Sequence, residues 1–367
     1  EGRWPVLGVP ELLVQDLHDV QQHVQSYEVG ELERAHRVVG AQPHGGVDIF
    51  LGGGALGQKE ADTLVHRSLD AGVNFFDTAN VYSVGRSEEM LGTALGVRRP
   101  DVIVATKVRG RMGDGPNQIG LSRVHIMAEC DASLRRLGTD YIDLYQIHGH
   151  DPDTDIQETL GALNDLVRAG KVRYIGCSNL TAWQLMKALA VSRQQGLAEF
   201  ISTQSYYSIA GRELEREMIP LLDDQGLGLL PWSPLAGGFL SGKFTRESET
   251  DPDARRTTFD FPPVDKTRAY DIIDVMRDVA TAHEVSVAQI ALAWLLHQPA
   301  VTSVIIGAKR LDQLDDNLGS VDLTLTDPEL ERLNTVSALA PEYPGWMQIL
   351  QADRAPGTTR NWDKYVK

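Results

Sequence analysis

The sequence predicts an α/β fold whose parallel sheet closes into a barrel, on three observations. From about residue 47, short apolar or β-branched segments alternate with longer stretches of helical periodicity. Eight such short segments occur, with helical stretches between them, and eight is the strand number of a closed parallel barrel. The segments are apolar almost throughout, as expected of strands covered on both faces. We therefore predict a single-domain (β/α)8 TIM barrel.

The elements follow one another in a regular order along the chain. The stretch ADTLVHRSLDAG, before the second strand, ends in Gly72, which suits a helix C-terminal cap. The stretch SEEMLGTALG, before the third, carries acidic residues in its first turn, where the helix dipole favours them. The predicted strands cover residues 47–51, 73–79, 101–108, 141–148, 172–179, 200–207, 227–234 and 301–308.

Two flanks lie outside the predicted barrel, which spans residues 47–340. Residues 1–46 form an atypical N-terminal extension, in which GAQPHGG interrupts a helical pattern. Residues 341–367 form a C-terminal tail rich in proline, glycine and aromatic residues, which we expect to lie over the barrel mouth. The first strand, which runs into GGGALG, is the least regular of the eight.

Composition limits the classes of partner. The chain has 367 residues, of which 42% are hydrophobic and 23% charged, as in ordinary soluble globular proteins. Its net charge of −16 gives no general attraction for nucleic acid or an anionic membrane, so we expect neither as a partner. We expect the two cysteines to be reduced packing residues. The acidic start lacks the form of a signal peptide, which predicts a cytoplasmic protein; the oligomeric state is not readable.

Ionisable side chains stand at the ends of three consecutive predicted strands. Asp77 ends the second strand, with Tyr82 on the following loop, Lys107 ends the third, and His148 ends the fourth. Because chemistry in such barrels takes place at the C-terminal strand ends, we expect these four side chains to share one mouth. Further polar residues end the later strands: Ser178, Asn179, Gln204, Trp232 and Ser233.

These four residue types suit protonation of a carbonyl oxygen during hydride transfer. A tyrosine hydroxyl has a pKa of about 10 and is a weak acid near neutrality. A neighbouring ammonium group favours the phenolate and so lowers that pKa, while a carboxylate keeps the ammonium charged and in place. A histidine can orient the carbonyl oxygen or share the proton.

The motifs of the chain from about residue 58 to 340 resemble those of the aldo-keto reductases. The matching stretches include AGVNFFDTANVYSVGRSEEMLGTAL, VIVATKV, LGTDYIDLYQIHGHD, VRYIGCSN, PWSPLAGGFLSGK and VIIGAKRLDQLDDN. The resemblance implies a TIM barrel that uses NADPH to reduce aldehydes or ketones, with Asp77, Tyr82, Lys107 and His148 as the catalytic tetrad. Tyr82 would then be the general acid, Lys107 would lower its pKa, Asp77 would anchor Lys107, and His148 would position the carbonyl.

The resemblance also implies a set of cofactor-binding residues. Ser178, Asn179 and Gln204 would bind the nicotinamide carboxamide, and Trp232 occupies the place of the aromatic residue that stacks on the nicotinamide ring. Lys309, next to Arg310, would provide positive charge for a 2′-phosphate, which favours NADPH over NADH. The pyrophosphate loop would be lined by Ser233, Leu235, Gly237, Leu240, Gly242 and Lys243, and the adenosine by Gly307, Lys309, Gln313, Asp316 and Asn317.

Three alternatives remain open from the sequence. GGGALG, Gly52–Gly57, fits the G-x-G-x-x-G fingerprint of a Rossmann-type dinucleotide-binding domain, with Asp77 near the expected acid. HGHD, 148–151, resembles a metal-binding pair at a strand end, although we predict no metal site. A third possibility is a catalytically weak binding protein, since some reductase-like barrels are regulatory beta subunits of potassium channels. The physiological substrate is not readable from the sequence.

Overall fold

The structure, a computed structural model, describes residues 46–50 as a strand, and it describes residues 57–246 and 260–351. It confirms the predicted barrel, because eight parallel strands form one sheet in the order β7-β6-β5-β4-β3-β2-β1-β8. The strands are β1 (Gly46–Phe50), β2 (Phe75–Asp77), β3 (Ile103–Val108), β4 (Ile142–Ile147), β5 (Val172–Ser178), β6 (Phe200–Tyr206), β7 (Gly228–Trp232) and β8 (Ser303–Ile306). Each lies within one residue of a predicted strand or inside it.

The sheet closes between β7 and the residues that precede β8. Leu229 forms a parallel bridge with Val301, and the Thr302 amide donates to the Leu229 carbonyl oxygen at 2.9 Å. The first strand is paired on both sides, since Ile49 lies opposite Phe76 of β2 and also opposite Ile306 of β8. The irregular sequence around β1 therefore leaves no unpaired sheet edge at this position.

Helices cover the outside of the barrel between successive strands. Side-chain caps stabilise several of them; Ser122 accepts from the His125 amide, and Asp155 accepts from the Gln157 amide at 2.7 Å. The helices are α1 (Gln58–Asp70), α2 (Arg86–Leu95), α3 (Arg123–Leu137), α4 (Ile156–Arg168), α5 (Ala182–Gln195), α6 (Met218–Gln225), α7 (Lys266–His283), α8 (Val287–Leu296), α9 (Leu311–Leu318), α10 (Asp327–Val336) and α11 (Gly345–Gln351).

Two hydrophobic layers meet at the sheet. The large layer lies between strands and helices and includes Phe76, Trp294 and both cysteines, Cys130 and Cys177, which are buried and free as predicted. The smaller layer fills the barrel interior, and its buried members are Phe75, Ala105, Leu144, Leu230 and Ile305. Side chains two positions further along the same strands must also point inward, which directs the chemistry of the site.

The predicted flanks are only partly described. The extension 1–46 lies outside the described residues apart from Gly46, and so does the tail beyond Gln351. Glu342 forms an ion pair with Arg216, in the segment that follows β6, and the predicted cover of the mouth by the tail stays a prediction. Within the described ranges, no single helix is long and apolar enough to cross a membrane; α7 and α8, bent by 97°, meet that test only together.

Candidate active site

The alternation of side chains along the strands brings a polar layer together above the apolar interior. Asp77 follows Phe75 by two positions and Lys107 follows Ala105 by two, so both point into the barrel. The register places Asp77 opposite Ala105, one strand away from Lys107. An acid and a base that the sequence separates by 30 positions therefore meet inside the C-terminal end of the barrel.

Asp77 and Lys107 form a fully buried ion pair. The Lys107 Nζ lies 2.5 Å from the Asp77 Oδ2, and their exposed fractions are 0% and 1%. Lys107 also donates to the Thr78 carbonyl oxygen at 2.9 Å. The other oxygen of Asp77 accepts from two amides, Gln204 Nε2 at 2.8 Å and Gln146 Nε2 at 3.3 Å. A buried charged pair needs such additional hydrogen bonds to be tolerated, and here both partners have them.

The loop after β2 carries Tyr82 over this pair. The Thr78 amide donates to the Ala105 carbonyl and the Asn80 amide to the Lys107 carbonyl, so the chain stays bound to β3 beyond the end of β2. The Asn80 side chain is buried and donates to Glu129 of α3 at 3.0 Å. Hydrogen bonds to β3 and to α3 therefore hold the loop in place just before Tyr82.

The half-buried Tyr82 hydroxyl joins the three other predicted residues. Its oxygen lies 3.5 Å from Lys107 Nζ and 3.4 Å from His148 Nε2. The rings of Tyr82 and His148 meet edge to face, with centroids 5.5 Å apart. One phenol is therefore in contact with a buried ammonium group below it and an imidazole beside it, at the open end of the barrel. The convergence that the sequence predicts is present.

The surroundings of Lys107 and His148 shift their pKa values in opposite directions. Burial opposes the charge on Lys107, but attraction to Asp77 and Tyr82 outweighs burial, and the pKa of Lys107 is raised. Burial, together with the positive charges of Lys107 and Arg109, lowers the pKa of His148 to about 3. At neutral pH the site therefore holds a charged lysine and a neutral imidazole, which can donate one hydrogen bond and accept another.

The low pKa of His148 predicts acid sensitivity of the fold. Its folded value of about 3 lies below the ordinary 6.5, so the unfolded chain binds a proton that the folded chain does not. The free energy of unfolding should therefore fall as the pH drops from 6.5 towards 3. We expect His148→Asn to lose less stability than the wild type between about pH 7 and about pH 5 in urea unfolding. Equal losses in both proteins would contradict the shift.

Four of the predicted nicotinamide-binding residues lie together beside His148. Asn179 donates through its amide to the His148 carbonyl oxygen at 3.3 Å and accepts from Trp232 Nε1 at 3.0 Å. Ser178 donates to the Gln204 carbonyl at 2.7 Å. The Gln204 amide nitrogen is directed at Asp77, which leaves its predicted contact with a carboxamide as a prediction. Trp232 already has aromatic neighbours, with Tyr206 at 5.2 Å and Phe261 at 5.7 Å between centroids.

The predicted pyrophosphate loop adopts a tight left-handed turn. Gly237 and Gly238 have φ values of 66° and 90°, which explains the glycines, and Ser233 accepts from the Gly237 amide at 2.9 Å. The Gly238 amide is likewise engaged within the turn, since it donates to the Leu235 carbonyl oxygen at 2.9 Å. Leu240 is fully buried and its amide donates to the Leu235 carbonyl oxygen at 3.1 Å, so its predicted contact with phosphate stays a prediction, whereas Lys243 is exposed. Leu235 and Gly242 lie at the two ends of this turn.

The predicted adenosine-binding segment and the predicted pyrophosphate loop both lie against helix α8. Ser286 and Gln289, at the start of α8, donate to the two oxygens of Asp316 at 2.8 and 2.9 Å. Val287 of the same turn would contact a side chain at Gly242, so α8 lies between the two segments. Gly307 and Lys309 are exposed, Gln313 accepts from the Lys309 amide at 3.1 Å, and Asn317 is buried. Arg310, next to Lys309, is bound in a bidentate pair to Asp312.

Comparison with known proteins decides the family. The model of the Aldo/keto reductase family matches residues 45–338, which is most of the chain. The chain belongs to the aldo/keto reductase family. The predicted resemblance is therefore confirmed, and the barrel agrees with this family of oxidoreductases, which acts on small carbonyl substrates. The predicted domain boundaries stay predictions.

Named relatives cover most of the chain. A versiconal hemiacetal acetate reductase of Aspergillus parasiticus is 36% identical over 80% of this chain and 91% of the relative. An aldo-keto reductase of Fusarium vanettenii is 34% identical over 78% and 84%. A rice protein (Oryza sativa subsp. japonica) named "Probable voltage-gated potassium channel subunit beta" is 37% identical over 80% and 90%. Relatives named as reductases and a relative named as a channel subunit are therefore similar to this chain at nearly the same sequence identity.

The structure contradicts the Rossmann-type alternative, and its described residues give the metal-site alternative no support. The strands follow one another around the sheet, whereas a Rossmann-type domain reverses its strand order, so the dinucleotide fingerprint at Gly52–Gly57 was misleading. Most of that segment lies outside the described residues. Among the described side chains, no group of three or more His, Cys, Asp and Glu is arranged to hold a metal ion, and the HGHD segment provides no such cluster.

Sequence reasoning missed Gln146 and Arg109. Gln146 lies two positions after Leu144 and two before His148, so the same alternation that identifies His148 could have identified it. It fits because residue 176, opposite on β5, is glycine; a Cβ there would lie 3.3 Å from the Gln146 side chain. Arg109 stands two positions after Lys107 and influences His148, which no sequence pattern indicates.

Proposed function

We propose that this protein is an NADPH-dependent oxidoreductase that reduces aldehyde or ketone carbonyls to alcohols, with Tyr82 as general acid. The observation that carries this proposal is the position of the Tyr82 oxygen, 3.5 Å from Lys107 Nζ and 3.4 Å from His148 Nε2. These distances suit proton transfer at one atom, which is the oxygen that would face a substrate carbonyl.

Each member of the tetrad has a separate task in this proposal. Tyr82 delivers its proton to the carbonyl oxygen in reduction and accepts one in alcohol oxidation. Lys107 stabilises the phenolate that remains, and Asp77 keeps Lys107 charged and directed at Tyr82. His148 is neutral, so its ring can donate a hydrogen bond to the carbonyl oxygen without adding a charge that would compete with Tyr82.

The residues around the mouth fit a reduced nicotinamide dinucleotide, which supplies a hydride when bound. Asn179 is exposed beside His148, and Trp232 is half-buried next to it. The glycine turn at Gly237–Gly238 has no side chains that would keep a phosphate away, and the exposed Lys243 and Lys309 offer positive charge and N–H donors for phosphate. The donor set therefore matches a carboxamide at one end and phosphates at the other.

Lys309 is the proposed determinant of NADPH preference. Its side chain is exposed, while the neighbouring Arg310 is bound to Asp312, so Lys309 is the better placed of the two for a 2′-phosphate. We expect Lys309→Ala to weaken NADPH binding by roughly tenfold and to change NADH binding much less. Lys59→Ala, which removes an exposed lysine on α1, is the control. Calorimetric titration with both cofactors measures the difference; equal loss for both would remove the assignment.

A second candidate function is a cofactor-binding subunit with little catalysis. The relative from rice that is named as a channel subunit favours it. Purified protein should be given NADPH and a panel of aldehydes, and NADPH oxidation followed by absorbance. Turnover with alcohol formation supports the reductase proposal, whereas NADPH binding without turnover across the panel would support the binding subunit instead.

A further inference from the structure

Arg109 has a backbone conformation that arginine rarely adopts. It follows β3, two positions after Lys107, and its φ is 134°. Residues in such regions persist only where the surrounding structure holds them, and they cluster at functional sites. The Arg109 carbonyl accepts from the Gly120 amide at 3.0 Å, which fixes the two ends of this loop to each other. The strain places the Arg109 side chain in a particular direction.

The Arg109 guanidinium lies across the segment that contains His148. Its Nε donates to the His150 carbonyl oxygen at 2.8 Å. Its Cδ, Nε and Cζ all lie 3.8 Å from the position that a Cβ would take at Gly149. The Arg109 guanidinium therefore packs over Gly149. Gly149 directly follows His148, and the His148 ring contacts the Tyr82 hydroxyl.

The remaining donors of Arg109 are available. In the part of the chain that the structure describes, the His150 carbonyl is its one hydrogen-bond acceptor, and no carboxylate lies within 4.0 Å. The nearby Asp151 uses its oxygens for other hydrogen bonds, since Oδ2 accepts from the Leu121 amide at 2.6 Å and from Thr154 at 2.8 Å, and it interacts with Arg109 only through charge, without a hydrogen bond. Arg109 is exposed, so its two terminal nitrogens can reach a ligand in the mouth.

We propose that Arg109 binds an anionic oxygen group of the substrate, so that this protein prefers small aldehydes or ketones that carry a carboxylate or a phosphate. The inference rests on the proposed carbonyl reduction and specifies its substrate class. A planar guanidinium offers parallel N–H donors that match a carboxylate or a phosphate. The net charge of −16 gives no general attraction for such a substrate, so a local cation at the mouth would favour its binding.

The test compares matched pairs of aldehydes that differ in charge. One pair is para-carboxybenzaldehyde and its neutral amide, para-formylbenzamide; the other is glycolaldehyde phosphate and glycolaldehyde. The quantity measured is the selectivity ratio, which is kcat/KM for the charged member divided by kcat/KM for the neutral one. We expect Arg109→Gln to reduce this ratio by roughly tenfold to a hundredfold, mostly through KM of the charged member. The pair with the larger loss identifies the carboxylate or the phosphate as the preferred group.

Two further variants separate binding from general effects of charge. Arg109→Lys keeps the charge without the fork of donors and should retain part of the ratio. Arg111→Gln removes an exposed arginine of the same loop, which donates to the Gly113 carbonyl oxygen at 3.0 Å, and should leave the ratio unchanged. An equal fall in Arg111→Gln and Arg109→Gln, or no fall in either, would overturn the proposal.

Calorimetry distinguishes failure of this inference from failure of the proposed function. The protein, alone and with NADP+, is titrated with para-(hydroxymethyl)benzoate and with the corresponding neutral amide. Weaker binding of the benzoate to Arg109→Gln than to the wild type supports the anion site whether or not the protein turns over. Turnover of aldehydes with equal benzoate affinity in both proteins would overturn the anion site and leave carbonyl reduction intact. Absence of turnover by the wild type would overturn the carbonyl reduction alone.

Discussion

Tyr82→Phe should lower kcat for aldehyde reduction by roughly a hundredfold to ten-thousandfold, the range typical of a lost general acid. The change removes one oxygen atom, which lies 3.5 Å from Lys107 Nζ and 3.4 Å from His148 Nε2. The phenylalanine ring keeps the edge-to-face contact with His148 and the position over Lys107, whose Nζ lies 5.0 Å from the ring centroid. Steady-state kinetics measures kcat, and titration with NADPH should show almost unchanged affinity.

Tyr141→Phe is the matched control for this substitution. Tyr141 precedes β4 at the opposite end of the barrel, where its ring lies between the guanidinium groups of Arg99 and Arg173, at 4.2 and 3.8 Å. Removal of its hydroxyl should leave kcat unchanged. If Tyr82→Phe kept more than about a tenth of the wild-type kcat, Tyr82 could not be the main proton donor.

Lys107→Met should both unfold the protein more easily and abolish most of its turnover. Lys107 and Asp77 are fully buried, so removal of one charge leaves the other without its partner in a region of low polarity. We expect a loss of about 3–5 kcal/mol in the free energy of unfolding for Lys107→Met, and a similar loss for Asp77→Asn. Urea unfolding at neutral pH measures these losses.

The double variant measures how strongly Lys107 and Asp77 depend on each other for the stability of the fold. In Lys107→Met with Asp77→Asn no buried charge remains, so the loss should be clearly smaller than the sum of the two single losses. Because the pKa of Lys107 is raised, its charge stabilises the fold in the neutral range, and this contribution is lost as the pH rises through the raised value. Strict additivity of the two losses would show that the side chains do not interact. The double variant should stay inactive, since Tyr82 then lacks its ammonium neighbour.

The sequence predicts the barrel and the tetrad because both depend on the period of the strands. An apolar strand that ends in a charge, such as Phe75 to Asp77, places that charge at the C-terminal mouth whatever the details of packing. Three adjacent strands with such ends must bring their charges together. The irregular first strand was harder to predict, since its position depends on pairing with β8, which is more than 250 positions away in the chain.

The remaining features depend on contacts that no local pattern encodes. The Gln204 amide is directed at Asp77, on the opposite side of the barrel, and Gln146 reaches the same oxygen because residue 176 has no side chain. The direction of the Arg109 guanidinium follows from a φ of 134°, a property of the folded loop. Arg310, which appeared as a cation for the cofactor, is neutralised by Asp312 two positions later.

A crystal structure determined with NADP+ tests the central claim most directly, because it measures the distances between the Tyr82 oxygen and its two neighbours. The account predicts that this oxygen lies within hydrogen-bonding reach of both Lys107 Nζ and His148 Nε2, about 3 Å from each once the mouth is filled. Separation of the Tyr82 oxygen from both atoms by more than about 6 Å would contradict the account, since no proton could then pass through this site.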